Sequence, residues 1–97
     1  MLTSKQRAYL RALANKEPTV LQIGKDGVSD ALLRQVEQTV ESRELIKIRV
    51  LETAGLTARQ ACEEICRRTG CEPVQCIGSR LVVYRPSREN PAIVLPR

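Results

Sequence analysis

The stretch Val20-Leu21-Gln22-Ile23-Gly24-Lys25-Asp26-Gly27-Val28-Ser29 constrains the fold of this chain more than any other. An apolar run of strand character enters a Gly-x-x-Gly turn, and Ser29 then stands as the N-cap of a helix. Glycines on both sides of the turn let backbone N–H groups come close to a guest. Lys25 and the positive end of the following helix add a field that suits phosphate. The same residues also fit a plain strand-to-helix turn in which the glycines serve geometry alone.

Capping and periodicity lay out the remaining elements. Thr3-Ser4-Lys5-Gln6 has the capping-box form and predicts a first helix reaching Asn15, with Gln6, Leu10 and Leu13 inward. Pro18 ends that pattern, and Val20 to Ile23 reads as a buried strand. Leu32, Leu33, Val36 and Val40 recur at helical spacing and predict a helix over Asp30 to Ser42. Leu45 to Leu51 alternates as a strand, with Ile46, Ile48 and Val50 on one face and Lys47 and Arg49 on the other. Thr57-Ala58-Arg59-Gln60 is a second capping box, and Gly70 suits the position past the end of that helix. Val74 to Ile77 and Leu81 to Tyr84 read as strands joined by the hairpin Gly78-Ser79-Arg80. From Pro86 onward, prolines and polar residues suggest a loosely held tail, with docking through Ile93-Val94-Leu95 as the alternative. The resulting order is helix, strand, helix, strand, helix, strand, strand. It predicts a single α/β domain with a four-stranded mixed sheet, residues 1–85 forming the domain and 86–97 the tail.

Charge and aromatic content narrow the function. Sixteen Lys and Arg against 11 acids give a net charge of +5 in 97 residues, which favours a polyanionic partner. Tyr9 and Tyr84 are the only aromatic residues, so a platform that stacks single-stranded bases is out of reach. Recognition of nucleic acid would then run through phosphates, sugars and shape. Met1 to Arg7 carries no apolar signal region and no run approaches a membrane span, so a cytoplasmic location with reduced thiols is expected.

Catalysis finds little support. The chain has no His, and Cys62, Cys66, Cys71 and Cys76 therefore lack the usual activating partner. Four thiolates could close a zinc site, but Cys62 and Cys66 stand four apart on a helix and Cys76 falls in a strand. The cysteines read better as small core hydrophobes, unpaired by disulfides. No metal, cofactor or small-molecule substrate is implied. Lys47 and Arg49, like Arg67 and Arg68, read on composition alone as solvating charges.

Four stretches taken together resemble the CRM domain, named for chloroplast RNA splicing and ribosome maturation. They are Leu2 to Arg7 with Leu10 to Ala14; Pro18 to Gly27; Arg43-Glu44-Leu45-Ile46-Lys47; and Val74 to Gly78 with Val82 to Arg85. The chain looks like the bacterial stand-alone form. The resemblance implies a fold similar to the C-terminal domain of translation initiation factor three. It also implies RNA binding and association with precursors of the large ribosomal subunit. The family's loop is likened to that of KH domains, which clamps a nucleic-acid backbone. Gly24, Lys25, Asp26 and Gly27 are then the expected contact loop, with Lys5, Arg7 and Arg11 extending the basic surface if the first helix packs beside it. Lys47 and Arg49 complete the expected RNA-binding set. Asp26 departs from a purely basic loop and shifts weight to backbone N–H groups. The rival reading is a protein-interaction module that binds an assembly factor or ribosomal protein with little RNA contact, favoured by any exposed apolar patch. A DNA-binding reading is weaker, because no recognition-helix pattern stands out.

Overall fold

Hydroxyl caps start each α-helix, and they fix where the strands must begin and end. In the computed structural model, which describes residues 1–97, Thr3 accepts from the Gln6 N–H while the Gln6 side chain accepts from the Thr3 N–H, opening α1 (Ser4–Ala14). Ser29 caps α2 (Asp30–Arg43) by accepting from the Leu32 N–H. Thr57 and Gln60 repeat the capping box at α3 (Ala58–Thr69), which ends at Gly70. Each cap satisfies helix N–H groups that have no intrahelical partner, and is worth about 1 kcal/mol.

The strands are β1 (Thr19–Ile23), β2 (Leu45–Val50), β3 (Glu72–Ile77) and β4 (Arg80–Tyr84), with one 3-10 turn over Glu52–Ala54. They form one mixed sheet in the order β1-β2-β4-β3, with β1 parallel to β2 and the other neighbours antiparallel. The predicted order of elements and the mixed sheet are both observed. The connection Gly78-Ser79 is one residue shorter than expected, since Arg80 already pairs with Ile77. Pro73 lies inside β3, where an irregular register between Pro73 and Gln75 on an edge strand accommodates its missing N–H.

The sheet separates two apolar clusters. Ile46, Ile48, Val50, Leu81 and Val83 face α2 and α3 and pack with Val36, Val40 and Ile65. The opposite face holds a smaller cluster in which Leu10 and Ala14 of α1 cover Leu45, Val74, Val82 and Tyr84. Each fully buried Leu, Ile or Val contributes roughly 1.5–3 kcal/mol, so the α2–α3 side carries the larger share of the stability. The covered residues all lie toward the Leu45 and Tyr84 ends of their strands. The other half of that face, at Arg49 and Arg80, is exposed.

Three expectations are corrected. The strand Val20 to Ile23 is not buried: only Ile23 is, because β1 is an edge strand with β2 as its single neighbour. Cys76 is not a core residue. It is exposed on β3, the other edge strand, while Cys62 and Cys71 are buried and Cys66 is partly so. The tail is not loose. Ile93 and Leu95 pack against the α1 cluster, and the Gln6 amide donates to the Pro96 carbonyl.

What holds the tail is a buried carboxylate. Glu44, at the C-cap of α2, accepts backbone N–H bonds from Ser87, Ala92 and Ile93 at 2.7–2.9 Å. Glu41 one turn earlier accepts from the Ser87 hydroxyl and the Arg88 N–H, and buried Arg85 pairs with Glu37 and Glu41. Burial pushes the Glu44 carboxyl up, but the three N–H donors outweigh it and hold it below the ordinary carboxylate range. The Ser87 hydroxyl and the Arg88 N–H likewise hold Glu41 low.

Candidate nucleic-acid interface

The Gly-x-x-Gly segment forms a tight turn at the end of β1. The Gly27 N–H donates to the Gly24 carbonyl at 2.9 Å, and the Ser29 N–H turns back to the Gly27 carbonyl at 3.0 Å. Gly27 has φ +62°, where a side chain is strained, whereas Gly24 has an ordinary φ and open space around a would-be Cβ. Only the second glycine is therefore demanded by the backbone. Lys25 and Asp26 project from the turn into solvent.

A cavity of about 190 Å³ sits beside this turn, lined by Gln22, the loop itself, Ser29 and Gln35. At its helix end the Leu32 N–H is taken by the Ser29 hydroxyl and the Leu33 N–H by the Ser29 carbonyl. The N–H groups of Asp30 and Ala31 precede the first helical acceptors and point out of the helix start. Asp26 and Asp30 both flank this end, and Asp30 is paired with Arg68 at 3.6 Å. Charge near the turn is thus balanced, with Lys25 and the free N–H groups of the helix start on one side and Asp26 and Asp30 on the other.

Gln22 links this cavity to the open half of the sheet. It stands opposite Arg49 of β2; Arg49 stands opposite Arg80 of β4, and Arg80 opposite Ile77 of β3. Lys47, two residues before Arg49 on the same face, is half-buried where α1 begins to cover the sheet. Neither Arg49 nor Arg80 takes part in any ion pair.

Helix α1 does not pack beside the loop. It lies across β2, β4 and β3, toward the strand ends farthest from the Gly-x-x-Gly turn. The tail occupies the flank of α1 bearing Gln6 and Leu13. Arg7 and Arg11, four apart, share the opposite flank of the helix. The Arg7 guanidinium donates to the Pro73 carbonyl at 3.2 Å and so leans on the β3 edge. Lys5 is exposed and lies on the outer side of the helix, apart from both groups. Arg67 and Arg68 are engaged with Glu64, in keeping with a solvated helix end.

A model of the CRS1 / YhbY (CRM) domain matches residues 2–85 of this sequence. The chain belongs to the CRM domain family. It is 38% identical over 96 residues to the "Probable RNA-binding protein YqeI" of Bacillus subtilis, covering 99% of this chain and 100% of that protein. An RNA-binding protein of Haemophilus influenzae is 36% identical over 96 residues, with 99% and 96% covered. Among solved structures, the solution structure of the hypothetical protein SAV1595 from Staphylococcus aureus is similar at a TM-score of 0.79 and 41% identity, covering 99% of this chain and 100% of that one.

Within this CRM domain, Gln22 and Arg80 are surface residues that sequence reasoning did not single out. The signal for Arg80 was present in the alternation of β4, which puts it on the face of Val82 and Tyr84, but only strand pairing sets it against Arg49. A groove of about 300 Å³ at the β3 edge, lined by Arg7, Arg59, Cys62 and Cys76 among others, brings thiols next to guanidinium groups. Their surroundings favour the protonated thiols. Partial desolvation of its thiol where it lines the groove, and the neighbouring Cys62, raise Cys76 to about 11. A thiol–thiol hydrogen bond with Cys66, 4.0 Å away, and burial raise Cys62. No helix is long and apolar enough to cross a membrane.

Proposed function

We propose that this chain binds RNA and associates with precursors of the large ribosomal subunit in the cytoplasm, assisting their assembly without catalysis or cofactor. The observation that carries this reading is the Gly-x-x-Gly loop whose cavity runs, through Gln22, into a basic sheet face, in a CRM-family chain whose relatives are named as RNA-binding proteins. Gly24 and Gly27 permit close approach, Lys25 supplies charge, and N–H groups at the start of α2 receive phosphate oxygens. Lys47, Arg49, Arg7 and Arg11 extend the contact, and Lys5 contributes long-range attraction. The tail offers the protein-interaction alternative little, since Ile93 and Leu95 are turned into the α1 cluster and, of that trio, Val94 alone is exposed.

Crosslinking in cells followed by sequencing of the attached RNA tests this directly. Large-subunit ribosomal RNA is the expected enrichment, and recovery of proteins with no RNA overturns the reading. Lys25→Glu is expected to weaken RNA binding and lower the salt slope of affinity by about one, with unchanged melting. Normal melting with unchanged affinity and slope means that the loop is only a turn.

A further inference from the structure

The row Gln22, Arg49, Arg80 and Ile77 crosses every strand of the sheet on its open half. With strands ~4.8 Å apart, it is about 14 Å wide. Two features set it apart from ordinary surface. Arg49 and Arg80 face each other directly across β2 and β4, an arrangement of like charges that disfavours the folded state. No carboxylate pairs with either of them. In addition, Ile77 is 65% exposed at the end of the row, an apolar side chain left in water beside Arg80. A solvating surface would intersperse acids here, as the outer side of α3 does with Glu64, Arg67 and Arg68.

We propose that this row is a docking surface for base-paired RNA, an addition to the RNA-binding reading above and dependent on it. The partner follows from what the row lacks as well as what it holds. Sheet faces that grip single strands stack bases on exposed aromatic rings. Here Tyr84 is buried under α1 and Tyr9 lies on α1, so no ring stands in the row. Arginines, an amide and an aliphatic side chain instead match the shallow minor groove of an A-form stem, which displays phosphates, 2′-hydroxyls and ribose carbons. Arg49 and Arg80 hold phosphate oxygens, Gln22 reaches a 2′-hydroxyl, and Ile77 covers sugar. Gln22 also lines the loop cavity, so one stem can lie across the strands with its backbone ending at the Gly-x-x-Gly turn.

The test compares the intact protein, the double variant Arg49→Gln with Arg80→Gln, and Lys25→Glu. The probes are a synthetic RNA hairpin with a stem of about 16 base pairs and an unstructured single strand of equal length. Wild type is expected to bind the hairpin about tenfold or more tightly than the single strand, and the double variant to lose that preference with a salt slope lower by about two. Its melting temperature should equal or exceed that of wild type, because a like-charge pair has been removed. Hairpin affinity unchanged in the double variant but lowered by Lys25→Glu overturns the row and leaves the loop reading intact. A preference for the single strand overturns base-paired RNA as the partner without touching RNA binding itself. Failure of wild type to bind either probe at low salt defeats the broader proposal and this one with it.

Discussion

Helix α2 lies between two residues of left-handed φ, Gly27 shortly before its start at +62° and Glu44 at its C-cap at +67°. At the first, glycine takes the conformation without strain, and the turn stays open beside a cavity. At the second, a glutamate is forced into it, and its carboxylate is fully occupied by N–H groups of the chain's own tail. Such strain costs of order 1–3 kcal/mol and persists only where the surroundings over-determine it. The comparison separates two uses of hydrogen-bonding capacity at helix ends. One end leaves the first N–H groups of the helix without a partner in the fold; at the other the Glu44 carboxylate is spent on holding the tail.

The largest effect should come from removing the acceptor. Glu44→Ala leaves the Ser87, Ala92 and Ile93 N–H groups without their partner and is expected to cost about 2–4 kcal/mol in denaturant unfolding. Limited proteolysis should then cleave the tail beyond Pro86 faster than in wild type. Glu44→Gly relieves the backbone but not the lost bonds, so it should sit between the two; wild-type melting in both variants would mean that the carboxylate does not clamp the tail.

Acid provides a milder version of the same lesion. Glu41 and Glu44 are both depressed below the ordinary value of 4.5 in the folded protein, so the unfolded chain takes up their protons first. The stability they contribute is complete above pH 4.5 and is lost as pH falls through their lower folded values. Amide exchange at Ala92 and Ile93 should accelerate in that window before the sheet amides respond. Simultaneous loss of both regions would show that the tail is not released separately.

The smallest effects lie at the loop, and their asymmetry is the point. Gly27→Val places a β-branched side chain at positive φ and should cost about 1–2 kcal/mol. Gly24→Ala meets no atom within 4 Å and needs no special φ, so thermal melting should move by no more than about 0.5 kcal/mol equivalent. Equal costs at the two positions would contradict a turn in which only Gly27 needs positive φ.

Local rules carried the sequence reading a long way. Caps at Thr3, Ser29 and Thr57 fixed the helix starts, and the alternation of Leu45 to Leu51 fixed a strand, because both signals are decided within a few residues. What escaped was everything set by pairing between distant segments. The edge position of β1 follows from strand order, Cys76 is exposed because β3 is the other edge, and Arg80 matters only through its register with Arg49. The segment Arg43-Glu44-Leu45-Ile46-Lys47 was legible as a family signal, yet its glutamate anchors a tail more than 40 residues further on. Composition marked that tail as polar and proline-rich; it could not reveal a buried carboxylate waiting for its N–H groups.

The facing pair Arg49 and Arg80 makes ionic strength act in two directions. In the free protein their repulsion, added to that of a chain of net charge +5, is relieved as salt screens it. A polyanion lying on the pair relieves it far more, and by mass action any such ligand raises the stability of the folded state that binds it. On the proposed reading, salt would relieve the pair in the empty fold while weakening the hold on a polyanion, and the fold would be at its most secure with that charge covered.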